Sequence, residues 1–228
     1  MNVKVGFTPG EKVAADVGIV IDVLRATSTI CQALDSGYEQ VVCVGEVDDA
    51  RALAGPGVAL AGERHNVLIE GFDFGNSPRE LAGDRTAEML VLTTTNGTRA
   101  LLAAASSCRT VLVASLLNLD AVIAEAGKAD DVAILCAGVE GGFAIDDAYV
   151  AGRIAGALGG KPDDAAIAAI RLAGTFASAE DGIGAGVSAA NIRRVGLDED
   201  IPFCAREGVL ALVPRVVERA QTSVVVAA

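Results

Sequence analysis

The sequence predicts an α/β protein with a three-layer α/β/α fold, in which a mostly parallel or mixed sheet is followed by a helical C-terminal portion. Short β-branched apolar runs alternate with helical segments at least five times, and the connections between them are short. Hydrophobic residues make up 52% of the 228 residues, and the chain has no Trp. Such a composition favours small side chains packed closely between helices and a sheet rich in valine and isoleucine.

Six short apolar runs predict the strands of this sheet. They are continuous and rich in Val, Ile and Leu, as is typical of strands buried on both faces of a parallel sheet. The runs are residues 17–23, 41–44, 58–61, 89–93, 110–114 and 132–136. Because helical segments separate consecutive runs, we expect crossover connections and parallel pairing.

Helices are predicted between these strands and in the last third of the chain. Several begin at a capping residue, namely Thr27 or Ser28 for the first and Asn118 for a later one, and the first ends at Gly37. The predicted helical segments are residues 27–36, 48–54, 78–83, 98–105, 118–128, 146–158, 162–176 and 188–195.

The C-terminal third is predicted to be mainly helical. Residues 198–204 are expected to form a loop, and residues 209–213 could add one more strand. The chain has no low-complexity linker and no repeat of fixed period. We therefore expect one domain over residues 1–228.

Charge and cysteine content exclude several classes of partner. The net charge of −12 repels nucleic acid and anionic membrane surfaces. No uninterrupted apolar span of about 18 residues is present, so no membrane-spanning helix is expected. The five cysteines form no CxxC pair, which is typical of reduced, buried thiols. We expect a cytoplasmic protein that acts on a small molecule, and a homo-oligomer stays open.

Three polar loops follow predicted strands and precede predicted helices: residues 22–28, 93–98 and 136–147. In an open α/β sheet such loops meet in one crevice, where helix N-termini favour phosphate-like anions. The hydroxyl, amide and glycine groups that would contact an anion there are Thr27, Ser28, Thr94, Thr95, Asn96, Gly97 and Thr98.

Carboxylates in these segments predict a magnesium site. Asp22 ends a buried strand, where an unpaired charge is costly, and either Arg25 or a divalent cation could pair with it. Asp146 and Asp147 open a helix, where capping is the simpler interpretation, and Glu63 lies in a nearby loop. Such oxygen ligands are those that Mg²⁺ prefers.

The loop of residues 62–78, GERHNVLIEGFDFGNSP, is the most unusual stretch of the chain, because its polar residues follow neither strand nor helix periodicity. It contains Arg64, His65, the only histidine, and Asn76. Arginine can hold phosphate or carboxylate through two parallel hydrogen bonds. Because the chain has one histidine, a mechanism that needs two histidines is excluded. Mechanisms that depend on a P-loop or on a GxGxxG motif after a strand are excluded as well, because neither motif is present.

Five segments together resemble the 2-phosphosulfolactate phosphatase family, the ComB-like proteins. They are DVLRATSTI, GERHNVLIEGFDFGNSP, LTTTNGTRAL, CAGVEGGFAIDDAYVAG and SAANIRRVGLDEDIPFC. The resemblance implies a Mg²⁺-dependent hydrolase of the phosphate ester of a sulfonated 2-hydroxy acid, in coenzyme M biosynthesis. This chain departs from the family where Asp146-Asp147 replaces the frequent Glu-Asp pair, and where Asn66 follows His65.

The residues and the resemblance together give a set of expected roles. Mg²⁺ would be held by Asp22, Glu63, Asp146 and Asp147. The catalytic groups would be Asp22, Arg25, Arg64 and Asp147, with the two arginines stabilising the transition state or binding the sulfonate. Substrate would contact Thr27, Ser28, Asn76, Thr94, Thr95, Asn96, Gly97 and Thr98. The alternatives are a phosphatase for another phosphorylated 2-hydroxy acid, a transferase or dinucleotide-binding enzyme, and a non-catalytic anion-binding protein.

Overall fold

The computed structural model describes residues 1–11 and 13–228, and within these residues eleven strands form one sheet flanked by nine α-helices. The strands are β1 Asn2–Gly6, β2 Ala15–Ile21, β3 Gln40–Val44, β4 Val58–Arg64, β5 Val67–Leu68, β6 Met89–Thr93, β7 Cys108–Ala114, β8 Asp131–Cys136, β9 Lys161–Pro162, β10 Arg215–Arg219 and β11 Ser223–Ala227. The helices are α1 Ala26–Asp35, α2 Val47–Ala52, α3 Gly97–Ser107, α4 Leu119–Ala126, α5 Ile145–Leu158, α6 Asp164–Ala173, α7 Ala179–Gly184, α8 Val187–Arg194 and α9 Asp200–Cys204. Pro78–Leu81 form a 3-10 helix.

The sheet consists of two parallel groups joined by an antiparallel hairpin. Its strand order is β5-β4-β6-β3-β11-β10-β7-β2-β8-β1-β9. Strands β4, β6 and β3 pair in parallel, and so do β7, β2, β8, β1 and β9. The C-terminal hairpin β10–β11 lies between the groups and pairs antiparallel with β3 and β7. The sheet is therefore mixed but mostly parallel.

Strand β2 shows how the sheet divides the core into two layers. Successive side chains of a strand point to opposite faces. Ile19 and Ile21 accordingly pack in one cluster with Ile154 of α5, whereas Val20 packs in the other with Leu101 of α3. All five are fully buried, and each such side chain contributes roughly 1.5–3 kcal/mol to folding. Helices thus cover both faces of the sheet.

These observations confirm the predicted fold class, with its three layers and mostly parallel sheet. Each of the six predicted strands is present within a few residues of its expected bounds. The helical C-terminal portion is confirmed by α6, α7, α8 and α9. The single domain over residues 1–228 stays a prediction.

Two predictions near the C-terminus are wrong. Residues 198–204 are not only a loop, because Asp200–Cys204 form α9. Residues 209–213 form no strand; the preceding Gly208 N–H donates to Leu116 O at 2.9 Å, and Leu210 N–H donates to Leu117 O at 2.8 Å. This apolar segment therefore follows the turn before α4, and the sheet instead receives the hairpin β10–β11.

The predicted cap of the first helix is also wrong. Arg25 occupies the N-cap position of α1, with no hydrogen bond from a capping side chain. The hydroxyl of Thr27 instead donates to Asp22 O at 2.9 Å, and that of Ser28 donates to Val23 O at 2.8 Å. These bonds fasten the first turn of α1 to the end of β2.

Among the residues that the structure describes, no helix combines the length and the apolar character that a bilayer crossing requires.

Candidate active site

The polar loops enclose a cavity of about 290 Å³. Its wall is built from the loops after β2, β6 and β8, the end of β4 and the hairpin that follows, and one face of α8. Nine of the fourteen residues that the sequence predicts at the site line this one cavity: Asp22, Arg25, Glu63, Asn76, Thr94, Thr95, Asn96, Asp146 and Asp147. Segments that are far apart in the chain therefore share one site.

Asp22 lies at the carboxyl end of β2 and is 7% exposed. Its Oδ1 accepts a hydrogen bond from Ala26 N at 3.3 Å. A Cβ at Gly97 would lie 2.7 Å from Asp22 Oδ2, so only glycine allows the start of α3 to pack against this carboxyl. Gly97 belongs to the loop of residues 93–98, called the threonine loop below, and therefore lies behind the cavity wall.

Asp147 fastens two loops together from the first turn of α5. Its Oδ1 accepts from Val23 N and its Oδ2 accepts from Gly138 N, both at 2.9 Å. Gly138 has a φ of 67°, in the left-handed region that favours glycine. Both oxygens of Asp147 therefore accept hydrogen bonds that hold the loop after β2 against the loop between β8 and α5.

Asp146 is the neighbouring carboxyl of the same turn and is 2% exposed. Its Oδ1 accepts a hydrogen bond from Ser188 Oγ at 3.0 Å. Ser188 belongs to α8, so this bond brings the C-terminal part of the chain to the cavity.

Burial and mutual repulsion raise the pKa values of these carboxyls. Burial raises the pKa of Asp22 to about 7, with smaller contributions from the nearby charges of Asp146 and Glu63, whereas the Ala26 N–H bond and Arg25 oppose the rise. Burial likewise raises the pKa of Asp146 to about 6. The pKa of Asp147 is raised well above its ordinary value by burial and then by its two carboxyl neighbours. Such a group of buried acids favours a bound cation.

Arg25 is buried in the same wall, with its side chain 1% exposed. Its Nη1 donates to Asp200 Oδ2 at 2.7 Å. Its Nε and Nη2, and the Oδ1 of Asn76, are buried without a hydrogen-bond partner in the described part of the chain. Buried polar groups are almost always satisfied, so these three atoms, on two residues that line the cavity, call for a partner from outside the chain, either a polar ligand or bound water. Asp22, the partner suggested by the sequence, is not the one that Arg25 binds.

Glu63 connects the end of β4 to the threonine loop. Its Oε1 accepts from both the backbone N and the Oγ1 of Thr95 at 3.0 Å, and its Oε2 accepts from Asn66 N at 2.7 Å. Asn66 and His65 adopt positive φ values of 64° and 54°, which form the tight turn into β5. Glu63 therefore links the turn after β4 to the loop after β6 through hydrogen bonds.

Five residues expected at the site do not line the cavity. The guanidinium of Arg64 donates to Glu63 O, Gly45 O and Thr93 Oγ1 at 2.7, 3.0 and 3.0 Å, so it joins the C-terminal ends of β3, β4 and β6. Gly97 lies behind the carboxyl of Asp22, and Thr98 N donates to Thr94 Oγ1 at 3.3 Å. Thr27 and Ser28 bind the carbonyls at the end of β2.

Sequence reasoning missed four residues that complete the site. Ser188, Asn191 and Arg194 of α8 line the cavity. Their spacing of three residues places them on one helix face, and that pattern could have identified them. Asp200 lies behind Arg25, and nothing in the acidic run that contains it separates it from its neighbours.

The donor groups of the cavity fit Mg²⁺ in a reduced form of the predicted set. Across residues 1–11 and 13–228, no three His, Cys, Asp or Glu side chains are arranged to hold a metal ion. The oxygens of Asp147 and Glu63 already bind protein donors, whereas Asp22 and Asp146 each accept one hydrogen bond from another described residue. Mg²⁺ commonly uses one or two carboxylates and completes its shell with water and phosphate oxygens. Asp22 and Asp146 meet that requirement.

The family model and the similar proteins all identify the same family. A family model described as 2-phosphosulpholactate phosphatase matches residues 5–219. A protein of Thermus thermophilus named probable 2-phosphosulfolactate phosphatase is 38% identical over 222 residues, which cover 94% of each chain. Proteins of Deinococcus radiodurans and Symbiobacterium thermophilum carry the same name, at 37% and 38% identity. The Deinococcus match covers 95% of this chain and 94% of the relative, and the Symbiobacterium match covers 92% of this chain and 95% of the relative.

Proposed function

Because this chain belongs to the 2-phosphosulfolactate phosphatase family, we propose that it hydrolyses the phosphate monoester of a small sulfonated 2-hydroxy acid. The reaction would convert 2-phosphosulfolactate to sulfolactate and phosphate and would depend on Mg²⁺. The observation that carries the proposal is the buried Arg25, whose Nε and Nη2 lack partners in the described chain beside two carboxyls with raised pKa values. Anion-binding and cation-binding groups thus occur side by side, as phosphoryl transfer requires.

Asp22 and Asp146 would hold the Mg²⁺. Bound there, the ion would neutralise charge on the phosphoryl oxygens and help to orient the substrate. The charges of the wall support this part of the proposal. Five carboxylates, Asp22, Glu63, Glu140, Asp146 and Asp147, line the cavity against two arginines, Arg25 and Arg194. A phosphate ester with further negative charges would be repelled by such a wall unless a cation were present.

Arg25 would bind the phosphoryl group. The Nε and Nη2 of a guanidinium lie on one edge and can donate two parallel hydrogen bonds to two oxygens of one phosphate. Because the side chain is buried, these bonds would be strong and would need little reorganisation as charge develops. Thr94, Thr95 and Asn96 would position the ester from the neighbouring wall, and Asn76 would accept a hydrogen bond from the substrate or from bound water.

The remaining negative groups of the substrate would face α8. Arg194 lies at the exposed side of the cavity, and Asn191 lines it one turn earlier. A sulfonate or carboxylate on the hydroxy acid would meet these side chains while its phosphate contacts Arg25. Asp147 and Glu63 would act by holding the loops in place, since their oxygens bind protein N–H and O–H donors.

The proposal also includes the setting that the resemblance implies, a cytoplasmic step of coenzyme M biosynthesis. Five buried cysteines without a disulfide in the described chain agree with a reducing compartment. The net charge of −12 agrees with the absence of a nucleic-acid partner.

A phosphate-release screen tests the function. The purified protein is incubated with 2-phosphosulfolactate, phospholactate, phosphoglycolate and phosphoglycerate, each with Mg²⁺ and with a chelator. We expect the highest kcat/KM for 2-phosphosulfolactate and loss of turnover in the chelator. Equal rates in the chelator would contradict the magnesium part of the proposal. A preference for phospholactate would move the substrate to a hydroxy acid without a sulfonate, and phosphate binding without any turnover would favour a non-catalytic anion-binding protein.

A further inference from the structure

Asp200 connects two separate walls of the cavity from a position behind them. It is 0% exposed and does not belong to the residues of the described chain that line the cavity. Its Oδ2 accepts from Arg25 Nη1 at 2.7 Å, and its Oδ1 accepts from Ser77 Oγ at 2.6 Å. One carboxylate thus holds the loop after β2 and the end of the loop of residues 62–78, although it lies 175 residues from Arg25 and 123 residues from Ser77.

Arg25, and the residue next to Ser77, carry unsatisfied polar atoms. Asp200 engages only Nη1 of Arg25, so the opposite edge of the guanidinium, with Nε and Nη2, is left without a partner in the described chain. Ser77 directly follows Asn76, whose Oδ1 is also unpaired there. The backbone carbonyl of Asn76 accepts from Thr29 Oγ1 at 3.1 Å, which fixes this loop a second time. The carboxylate thereby orients the guanidinium and fixes the loop that carries the amide.

A purely structural role would call for a different arrangement. A buried carboxylate that only neutralises an arginine gains most from two parallel hydrogen bonds to the guanidinium fork. Asp200 forms one bond to Arg25 and gives its other oxygen to a second loop. Leaving buried donors unpaired is costly, so the arrangement is favourable only when another acceptor completes it.

We propose that Asp200 is a positioning residue, which presents the Nε–Nη2 edge of Arg25 to the phosphate group without touching it and fixes the loop that carries Asn76. This inference rests on the proposed function, because it takes phosphate as the group that Arg25 binds. It assigns a role to the acidic run of residues 198–200, which the cavity wall alone does not explain.

A double-mutant cycle tests whether Asp200 acts through Arg25. The proteins are the wild type, Asp200→Asn, Arg25→Met and the double variant, and the readouts are kcat, KM and the Kd of inorganic phosphate with Mg²⁺ by titration calorimetry. We expect Asp200→Asn to weaken phosphate binding and to lower kcat/KM by about 10- to 100-fold. In the Arg25→Met background, the same substitution should change either quantity by less than about threefold, because the guanidinium is gone and the amide oxygen that Asp200→Asn introduces can still accept from Ser77 Oγ.

Two further variants control the cycle. Glu207→Gln removes a carboxylate from an arginine pair outside this cavity and should leave both quantities within about twofold of the wild type. Ser77→Ala removes one hydrogen bond to Asp200 and keeps its charge, so it folds even where Asp200→Asn does not. We expect it to weaken phosphate binding by about three- to tenfold.

Equal losses from Asp200→Asn in both backgrounds would overturn the proposal, as would wild-type phosphate affinity in either Asp200→Asn or Ser77→Ala. The proposed function fails separately. If the wild type binds inorganic phosphate and releases none from any ester, the function is wrong, whereas the phosphate Kd values still decide the role of Asp200. A wild type that binds no phosphate contradicts both.

Discussion

Two arginines of this protein each pair with a carboxylate, one at the cavity and one at a surface groove between α4, α5 and α6. In the groove, Arg153 Nη1 and Nη2 donate to the two oxygens of Glu207 at 2.6 and 2.8 Å, and Nη1 also donates to the hydroxyl of Tyr149. The hydrogen bonds that Arg153 donates to Glu207, more than any other contact, raise the pKa of Arg153. At the cavity, Arg25 donates to Asp200 through Nη1 alone.

The two pairs also differ in burial. The side chains of Arg153 and Glu207 are 34% and 37% exposed, whereas those of Arg25 and Asp200 are 1% and 0% exposed. At the exposed pair, water could accept hydrogen bonds from Arg153, yet both of its Nη atoms donate to Glu207. At the buried pair, bulk water does not reach Arg25, yet its Nε and Nη2 have no partner in the described chain. Unpaired donors cost most free energy where they are buried, so we expect a ligand to offset this cost at Arg25. Under the proposed function, unpaired donors distinguish the arginine that binds substrate from the one with a structural role.

The largest effect is expected from Asp22→Asn, which removes a carboxylate from the cavity and leaves the groove unchanged. Because Asp22 would hold Mg²⁺ at the phosphoryl group, kcat should fall on the order of 10³-fold or more. Phosphate release from 2-phosphosulfolactate at saturating Mg²⁺ measures the change, and circular dichroism checks the fold. Glu207→Gln is the matched control and should retain turnover. Near-normal activity of Asp22→Asn would remove Asp22 from the mechanism.

The comparison itself is tested by Arg25→Met against Arg153→Met. Loss of Arg25 should lower kcat by on the order of 10²–10³, the range for one preorganised transition-state contact, whereas loss of Arg153 should leave it within about twofold. Stability should separate the variants in the same direction. Arg25→Met leaves the buried charge of Asp200 without its ion-pair partner and should cost about 3–5 kcal/mol, whereas Arg153→Met loses a partly exposed pair worth about 0–1 kcal/mol.

Kinetics and urea unfolding of the two variants measure these effects. Equal losses of activity would show that unpaired donors do not mark the binding arginine. A large loss of stability without loss of activity in Arg25→Met would make its pair with Asp200 structural.

The sequence predicts much of this cavity because local signals place its parts. Strand β2 is a continuous β-branched run, and Asp22 follows it directly, so its position at the carboxyl end of the strand could be inferred. The threonine loop and the Asp146-Asp147 pair follow β6 and β8 in the same way. Periodicity and turn residues act over a few positions, and these features depend on nothing more distant.

What could not be predicted depends on partners far away in the chain. The sequence suggests Asp22 as the partner of Arg25, but only the fold brings Asp200 within 2.7 Å of it. The hairpin β10–β11 was missed because β10, RVVER, is polar and partly exposed, and its place between β3 and β7 is a long-range pairing. The sequence places Arg64 at the site because it adjoins Glu63, yet its side chain binds the C-terminal ends of β3 and β6.

The buried carboxyls predict an unusual pH dependence of stability in metal-free protein. The folded-state pKa values are about 7 for Asp22 and about 6 for Asp146, both above the ordinary value of 3.8. The folded state therefore holds more protons than the unfolded state between about pH 4 and 7, and its stability falls as the pH rises through this window. With a chelator, Tm should decrease by several degrees from pH 5 to 7.5, since about 1 kcal/mol corresponds to 2–4 °C at this size.

Thermal unfolding over this range, with and without Mg²⁺, measures the effect. Mg²⁺ should raise Tm more at pH 7.5 than at pH 5, because it binds the ionised carboxylates. Asp22→Asn should flatten the metal-free profile, whereas Glu207→Gln in the groove should retain its slope. A metal-free Tm that rises with pH would show that the carboxyls are not destabilising when ionised.

The smallest effect is expected at the exposed edge of the cavity, where two adjacent arginines repeat the comparison in milder form. Arg194 lines the cavity, whereas Arg193 Nη1 donates to Gly184 O at 3.0 Å within the helical layer. If Arg194 binds the sulfonate, Arg194→Met should raise KM for 2-phosphosulfolactate by about tenfold with little change in kcat, because the contact exists before and during the reaction. KM for phospholactate, which has no sulfonate, should change little, and Arg193→Met should affect neither substrate. Equal increases for both substrates would assign Arg194 to the carboxylate or phosphate instead, since a group that selects the sulfonate must lose its effect when the sulfonate is absent.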